Sequence, residues 1–370
     1  MPTARPLEIG LLSLGDCLDD PVGGGRPTPA ERHRAIVESA VLAERLGFDS
    51  VWLGEHHFCD YVLSAPPVVL AAIAARTERL RLGTGVTLLA NLDPVRVAED
   101  YATLDGISNG RVELVAGRGI LADTYEAFGQ KTDESRERFR ENLTLLQRLW
   151  SETGVTWRGR FRAPLEQVTV EPRPVQRPHP PLWVGGGSSP ESVDLAAELG
   201  LPLMLPSVLA PPDRFLPLVE RYRERAARAG HVARVGACNH VHVAADGAAA
   251  REGWRPYYLN YLRFVDRVWQ RRELVHPRAR VDLDYDRLLG GVAVCGSPAE
   301  VAERLLATRA ALGLDVHLLM FDLGGLPQPA LRETLERFGA DVLPSLRTAG
   351  SRAPAASCSP RGRRIRFAPS

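Results

Sequence analysis

The feature that most restricts how this chain can fold is the regular return of short apolar runs. Each is four to eight residues long, rich in Val, Leu or Ile, and followed by a longer amphipathic stretch. Eight such runs begin at Glu8, Ser50, Leu80, Val112, Leu182, Pro202, Gly236 and Asp315. Short apolar strands alternating with helices suit a parallel sheet, so the pattern predicts an α/β fold, a (β/α)8 TIM barrel, rather than a sandwich or bundle. The 370 residues fit this architecture, which occupies roughly 200 to 400. The stretch Pro29 to Leu46 reads as a clean unit, with proline at its start, an apolar stripe from Ile36 to Leu42, and Gly47 just past its end.

Two segments exceed a minimal barrel: a hairpin expected around Thr156 to Val170, and a helical excursion from Gly247 to Leu289. Both are expected to lie as insertions over the C-terminal face. The barrel domain is placed at 1–348, and 349–370 is read as a disordered basic tail, because Arg361, Arg363, Arg364 and Arg366 stand among Ser, Pro and Gly with few apolar residues. Lys plus Arg number 46 against 45 Asp plus Glu, too even a balance to gather nucleic acid or an anionic membrane, so the expected partner is a small molecule. Five scattered cysteines without C-x-x-C spacing read as free thiols, and no bound metal is expected. The start of the chain lacks the pattern of a secretory signal, and no run of ~18 apolar residues occurs, so a soluble, cytoplasmic protein is expected.

Active sites of such barrels gather at the C-terminal ends of the strands. The second strand runs into Glu55-His-His-Phe58. A histidine there can move protons near neutral pH, and neighbouring residues of a strand point to opposite sides. One of His56 and His57 should therefore face the pocket and the other the packing. Arg118 follows the fourth strand between Gly117 and Gly119, and Arg136 opens the helix that comes next. Two guanidinium groups without an obvious acidic partner suit a dianionic phosphate, although Arg136 could equally pair with Glu134 or Glu137. After the fifth strand, the turn Gly185 to Ser192 leads into a helix and can hold an anion on free N–H groups, or be a serine-capped helix start and nothing more. No G-x-G-x-x-G follows the first strand and no G-x-x-x-x-G-K-[ST] occurs, which favours a mononucleotide cofactor over a dinucleotide. The main rival is a metal-dependent barrel hydrolase using His240 and His242, which share one face of the seventh strand.

Taken in order, Glu55-His-His-Phe58, Gly83-Thr-Gly85, Asp93-Pro-Val-Arg-Val-Ala-Glu-Asp100, Leu104-Asp105, Gly110-Arg111, Gly117-Arg-Gly119 and Ser135-Arg136 resemble the bacterial luciferase-like flavin monooxygenases. The likeness runs from about Leu7 to Leu346 and is densest from Gly47 to Trp150. It implies a barrel that binds reduced FMN, forms a C4a-hydroperoxide with O2, and inserts one oxygen atom into a small organic substrate, with a separate flavin reductase among the expected partners. By position it implies that His56 is the catalytic histidine, tuned near neutrality, and that Arg118 and Arg136 contact the phosphate. Ser188, Ser189 and Ser192 fall in the phosphate turn, and Gly85 and Val86 lie beneath the flavin, joined by a non-proline cis peptide. His57, Asp60 and Tyr61 are assigned to the substrate pocket.

The resemblance also implies a homodimer through the helices after strands two and three. The run Val68 to Ala75, apolar nearly all round, independently asks for cover on its outer side. Gly117 stands where luciferase itself carries a cysteine, and Ser188 where it carries an acidic residue, so light emission from a long-chain aldehyde is not expected. Deazaflavin-dependent oxidoreductases of the same fold rank second, and a member that binds flavin without turnover ranks third. The substrate itself is not legible.

Overall fold

A computed structural model of the chain describes residues 6–186, 189–271, 274–275 and 281–351. Its strands are β1 (Glu8–Ser13), β2 (Ser50–Leu53), β3 (Arg81–Thr87), β4 (Val112–Ala116), β5 (Val155–Trp157), β6 (Leu165–Val168), β7 (Leu182–Gly185), β8 (Leu203–Met204), β9 (Val235–Val243), β10 (Ala293–Gly296) and β11 (Val316–Met320). Eight of them, β1, β2, β3, β4, β7, β8, β9 and β11, pair in parallel in that order. The ring closes where β11 meets β1, with Val316 opposite Glu8. Every barrel strand starts within one residue of its expected position.

The strands alternate two destinations for their side chains. Leu11, Val51, Leu53, Leu82 and Leu114 pack outward beneath the helices, while Leu12, Trp52, Val115, Trp183 and Leu318 fill the barrel. Trp52 takes the room left by a missing Cβ: one built on Gly83 would lie 2.3 Å from the indole. Alanine there would overpack the interior, a change that costs roughly 1 to 3 kcal/mol. Helix ends are set locally. Thr28 and Glu31 form a capping box at the start of helix Pro29–Leu46, and Gly47 ends it at φ 90°.

β5 and β6 form the expected antiparallel hairpin. The excursion after β9 contains helices Gly247–Arg271 and Tyr285–Gly290, but it returns as a strand. Between Gly247 and Leu289 the excursion is helical as expected where it is described, and β10 is an additional strand after it. β10 pairs with His240 to Val243 of β9 on the edge opposite β11, the edge that β8 uses only at Val235 and Gly236, so β9, at nine residues, leaves hydrogen-bonding groups there for a further strand. The last helix, Leu343–Ser351, crosses the boundary placed at 348, and 352–370 lie outside the described residues.

Candidate active site

The site begins where β2 ends. The carbonyl of Val86 accepts a hydrogen bond from Glu55 N at 3.2 Å, which ties the β2 end to the β3 end. The peptide Gly85–Val86 is cis, as expected, and the register with β4 shifts between Gly85 and Thr87. Val86 lies among glycines: a Cβ on Gly117 would come within 2.5 Å of its side chain, and one on Gly185 within 2.9 Å. Gly117 and Gly185 thus make room for the Val86 side chain at the ends of β4 and β7. The residue that replaces luciferase's cysteine has a steric reason to be small.

His56 and His57 part as the strand geometry requires. The His56 ring stacks on Tyr61 with centroids 4.1 Å apart, and its Nδ1 is buried without a hydrogen-bond partner among the described residues. Burial pushes its imidazole down to about 4, with a smaller push from His57. This corrects the expectation of a group tuned near neutrality. His56 is a neutral ring at physiological pH and can accept a proton. His57 instead holds Glu55 Oε1 at 2.8 Å, while Glu55 Oε2 accepts from Leu88 N at 2.9 Å. The His57 ring meets Phe128 edge-on at 5.2 Å. It therefore braces the loops after β2, β3 and β4 rather than sharing the space around Tyr61.

Of the other expected pocket residues, Tyr61 lies beside His56 and Asp60 does not. The Tyr61 hydroxyl lies 3.1 Å from that of Tyr261, and its ring packs edge-on against Phe264 at 4.9 Å. Both partners come from helix Gly247–Arg271, which also reaches the loops after β1 and β11 through Asn260. The excursion thus covers the mouth. Asp60 points outward and pairs with Arg26 at 2.6 Å, both about half exposed.

Arg118 and Arg136 line one cavity of about 330 Å³ together with Thr132, Asp133, Ser135 and Val275. Arg118 Nη1 reaches Ser135 Oγ at 3.4 Å. Burial lowers the Arg118 guanidinium from its ordinary value and the Arg136 charge adds to the effect, so an anion bound here would relieve both. Arg136 has an acidic partner after all. It is Glu191, at 3.4 Å, and not Glu134 or Glu137. That contact brings Arg136 beside the start of helix Pro190–Glu198, whose first residues follow the glycine turn. There Ser192 Oγ donates to the Ser189 carbonyl at 2.9 Å. Ser188 lies outside the described residues.

The rival pair is used for packing. His240 lies 3.3 Å from the Tyr258 hydroxyl, and His242 stacks on Trp254 at 5.7 Å and 7°. Among the described residues, no group of three or more His, Cys, Asp or Glu is placed to hold a metal ion. Several motif residues also prove to be structural. Arg111 donates to the carbonyls of Ala74, Thr77, Leu80 and Ser108, clasping helix Pro66–Ala74 to the start of β3, and Asp105 holds Gln176. Tyr261 and Phe264 escaped the sequence reading because they sit in an amphipathic helix with no motif around them. No described helix is long and apolar enough to cross a membrane.

A family model described as luciferase-like monooxygenase matches residues 14–315. The oxygenase component of a flavin-dependent trigonelline monooxygenase from Acinetobacter baylyi is 25% identical over 86% of this chain and 91% of that protein. The crystal structure of the monooxygenase RslO1 from Streptomyces bottropensis superposes with a TM-score of 0.81 at 31% identity, covering 91% of this chain and 99% of the other. More distant structures share the fold alone. The oxygenating constituent of 3,6-diketocamphane monooxygenase from Pseudomonas putida, in complex with FMN, gives 0.76 at 22% identity over 92% and 98%. An F420-dependent secondary alcohol dehydrogenase gives 0.70 at 20% over 92% and 99%.

Proposed function

The chain belongs to the luciferase-like monooxygenase family, and from that premise we propose that it is a monooxygenase that uses reduced FMN and O2 to oxygenate a small organic substrate. The observation that carries this reading is the convergence at one barrel end of three features. These are the Arg118 and Arg136 cavity, the Val86 side chain seated among glycines, and the buried, unpartnered Nδ1 of neutral His56. A flavin phosphate fits between the two guanidinium groups beside a helix start. The Val86 side chain, seated between Gly117 and Gly185, offers an apolar surface that suits a flat ring system. When bound, the reduced flavin supplies the electrons that activate oxygen. The protein's own share is placement, dryness and proton control.

Arg118, Arg136, Ser189 and Ser192, and by position Ser188, hold the phosphate. Gly85 and Val86 support the ring, and His56 accepts a proton at Nδ1. Tyr61, under Tyr261 and Phe264, walls the substrate space and keeps water out. The trigonelline enzyme is named as an oxygenase component, which supports a separate reductase as the electron source here. We place the protein in the cytoplasm as a homodimer. Buried thiols at Cys17, Cys238 and Cys295 support the first. A groove of about 510 Å³ between helices Pro66–Ala74 and Pro94–Ile107, edged by exposed Val68 and Ile107, supports the second.

The test is anaerobic titration with FMN, reduced FMN and a reduced deazaflavin, followed by oxygen and stopped-flow absorbance. Tight binding of reduced FMN and an oxygen-dependent absorbance change support the reading. Preference for the deazaflavin with no response to oxygen would replace it with hydride transfer.

A further inference from the structure

Behind Tyr61 the charges do not balance. Asp16 follows β1 and Asp322 follows β11, and both carboxyl groups are buried against a single guanidinium, that of Arg32. Arg32 Nη2 lies 2.7 Å from Asp322 Oδ2 and 3.8 Å from Asp16 Oδ1. Its Nε donates to the Asp16 carbonyl at 2.8 Å and its Nη2 to the Asp322 carbonyl at 2.9 Å. Ser13 Oγ donates to Asp322 Oδ2 at 2.6 Å, and Gly324 N to Asp16 Oδ2 at 2.9 Å. One oxygen of each carboxyl, Asp16 Oδ1 and Asp322 Oδ1, is left buried with no hydrogen-bond donor among the described residues. The Tyr61 and Tyr261 hydroxyls and the Cys17 thiol also face the cluster, and the Arg26 guanidinium reaches that thiol while its own charge is paired with Asp60.

Two ionised carboxylates on one cation would bury a surplus negative charge, which a protein interior disfavours strongly. A single proton removes the surplus charge, as happens for paired carboxyls that cannot both ionise. The cluster is also close to the proposed chemistry. Asp16 and Tyr61 form an antiparallel backbone bridge, and the Tyr61 ring is the one that stacks on His56.

We infer that Asp16, buried with Asp322 against the single cation Arg32, carries a proton, and that this proton sets the charge behind the Tyr61 and His56 stack, making Asp16 a positioning residue for the base. Burial, opposed by Arg32 and aided by Asp322, raises the Asp16 carboxyl to about 7, so the proton is exchanged near neutrality. With the proton present the cluster is neutral. When it leaves to solvent, one negative charge appears behind His56 and makes that imidazole a stronger proton acceptor.

The part of this that concerns His56 rests on the oxygenase reading; the proton on Asp16 does not. Infrared difference spectroscopy of the full chain without flavin, titrated from about pH 5 to 9, should show one protonated carboxyl per chain lost with a midpoint near 7. The signal should vanish in both Asp16→Asn and Asp322→Asn, since either change removes the surplus charge. If one variant fails to fold, the other decides. No protonated carboxyl in the wild type, or an unchanged signal in a folded variant, overturns the inference. In turnover, the wild-type rate should rise through the same midpoint while Asp16→Asn stays flat with KM unchanged. A pH step retained in Asp16→Asn would remove the link to His56 and leave the flavin reading untouched.

Discussion

Acidification should destabilise this protein steeply, and the size of the effect follows from its buried histidines. Burial pushes His56 and His242 down to about 4 and His240 and His317 down to about 3, whereas an unfolded chain holds histidine near ~6.5. A lowered histidine adds stability that is full above the unfolded value and is lost as pH falls toward the folded one. Asp16 has the opposite sign. Raised to about 7, it contributes stability that is full below the ordinary carboxylate range and is lost as pH rises through 7. At about pH 5 the four histidines take up nearly four protons on unfolding and Asp16 releases nearly one. The net uptake of about three lowers stability by about 4 kcal/mol for each pH unit of acidification.

Against a total stability of roughly 5 to 15 kcal/mol, the native state should be lost by about pH 4. Urea unfolding followed by tryptophan fluorescence, repeated at steps from neutral pH downward, measures the slope directly. His317→Asn should reduce it by about one proton, ~1.4 kcal/mol per pH unit, and Asp16→Asn should increase it by as much. These changes are in the slope and hold whatever either variant does to stability at neutral pH. A wild-type stability that stays level down to about pH 5, or variants that shift the slope in the same direction, would refute the neutral-histidine argument.

Three further outcomes are expected. Arg118→Ala should weaken reduced-FMN binding by ~1.5 to 3 kcal/mol, the worth of a charge-assisted hydrogen bond; equal affinities in equilibrium titration would remove Arg118 from the phosphate site. His56→Ala should still bind reduced FMN but turn over ~100-fold more slowly. Normal turnover in that variant, with loss in His57→Ala, would mean the two roles are exchanged. Val68→Asp, at a residue 70% exposed on the outer face of helix Pro66–Ala74, should turn a dimer into a monomer by light scattering at micromolar concentration. A monomeric wild type would contradict the dimer.

The barrel was legible because each strand carries its own apolar run and punctuation, and these local signals are what parallel pairing requires. β10 was not, since Ala293–Gly296 follows a turn at the end of a helical stretch and is specified by its partner, the overlong β9. Within the candidate site, the positions of His56 and Arg118 were legible because they stand at strand ends. Asp60 stands at the same end, yet its side chain is claimed by Arg26, a residue 34 positions away that no local pattern connects to it. The Asp16, Arg32 and Asp322 cluster has the same character: its members are separated by up to 306 positions and meet only when the last strand closes on the first. Charge balance within such a cluster is a property of the closed barrel and not of any segment.

Helix Gly247–Arg271 departs from β9, and the excursion returns through β10. Its hold on the β2 loop is made by side chains, Tyr261 and Phe264 against Tyr61, whereas the phosphate cavity is lined mainly by residues that follow β4. Under the proposed function, the stretch that covers the substrate space and most of the stretch that holds the cofactor are different pieces of polypeptide, joined where Leu274 bridges Leu121 and Val275 enters the cavity wall. Such a division would let the cover be exchanged, and with it the molecules accepted, provided Leu274 and Val275 stay with the barrel. A chimera carrying a relative's counterpart of helix Gly247–Arg271 on this barrel is the unit that would test it.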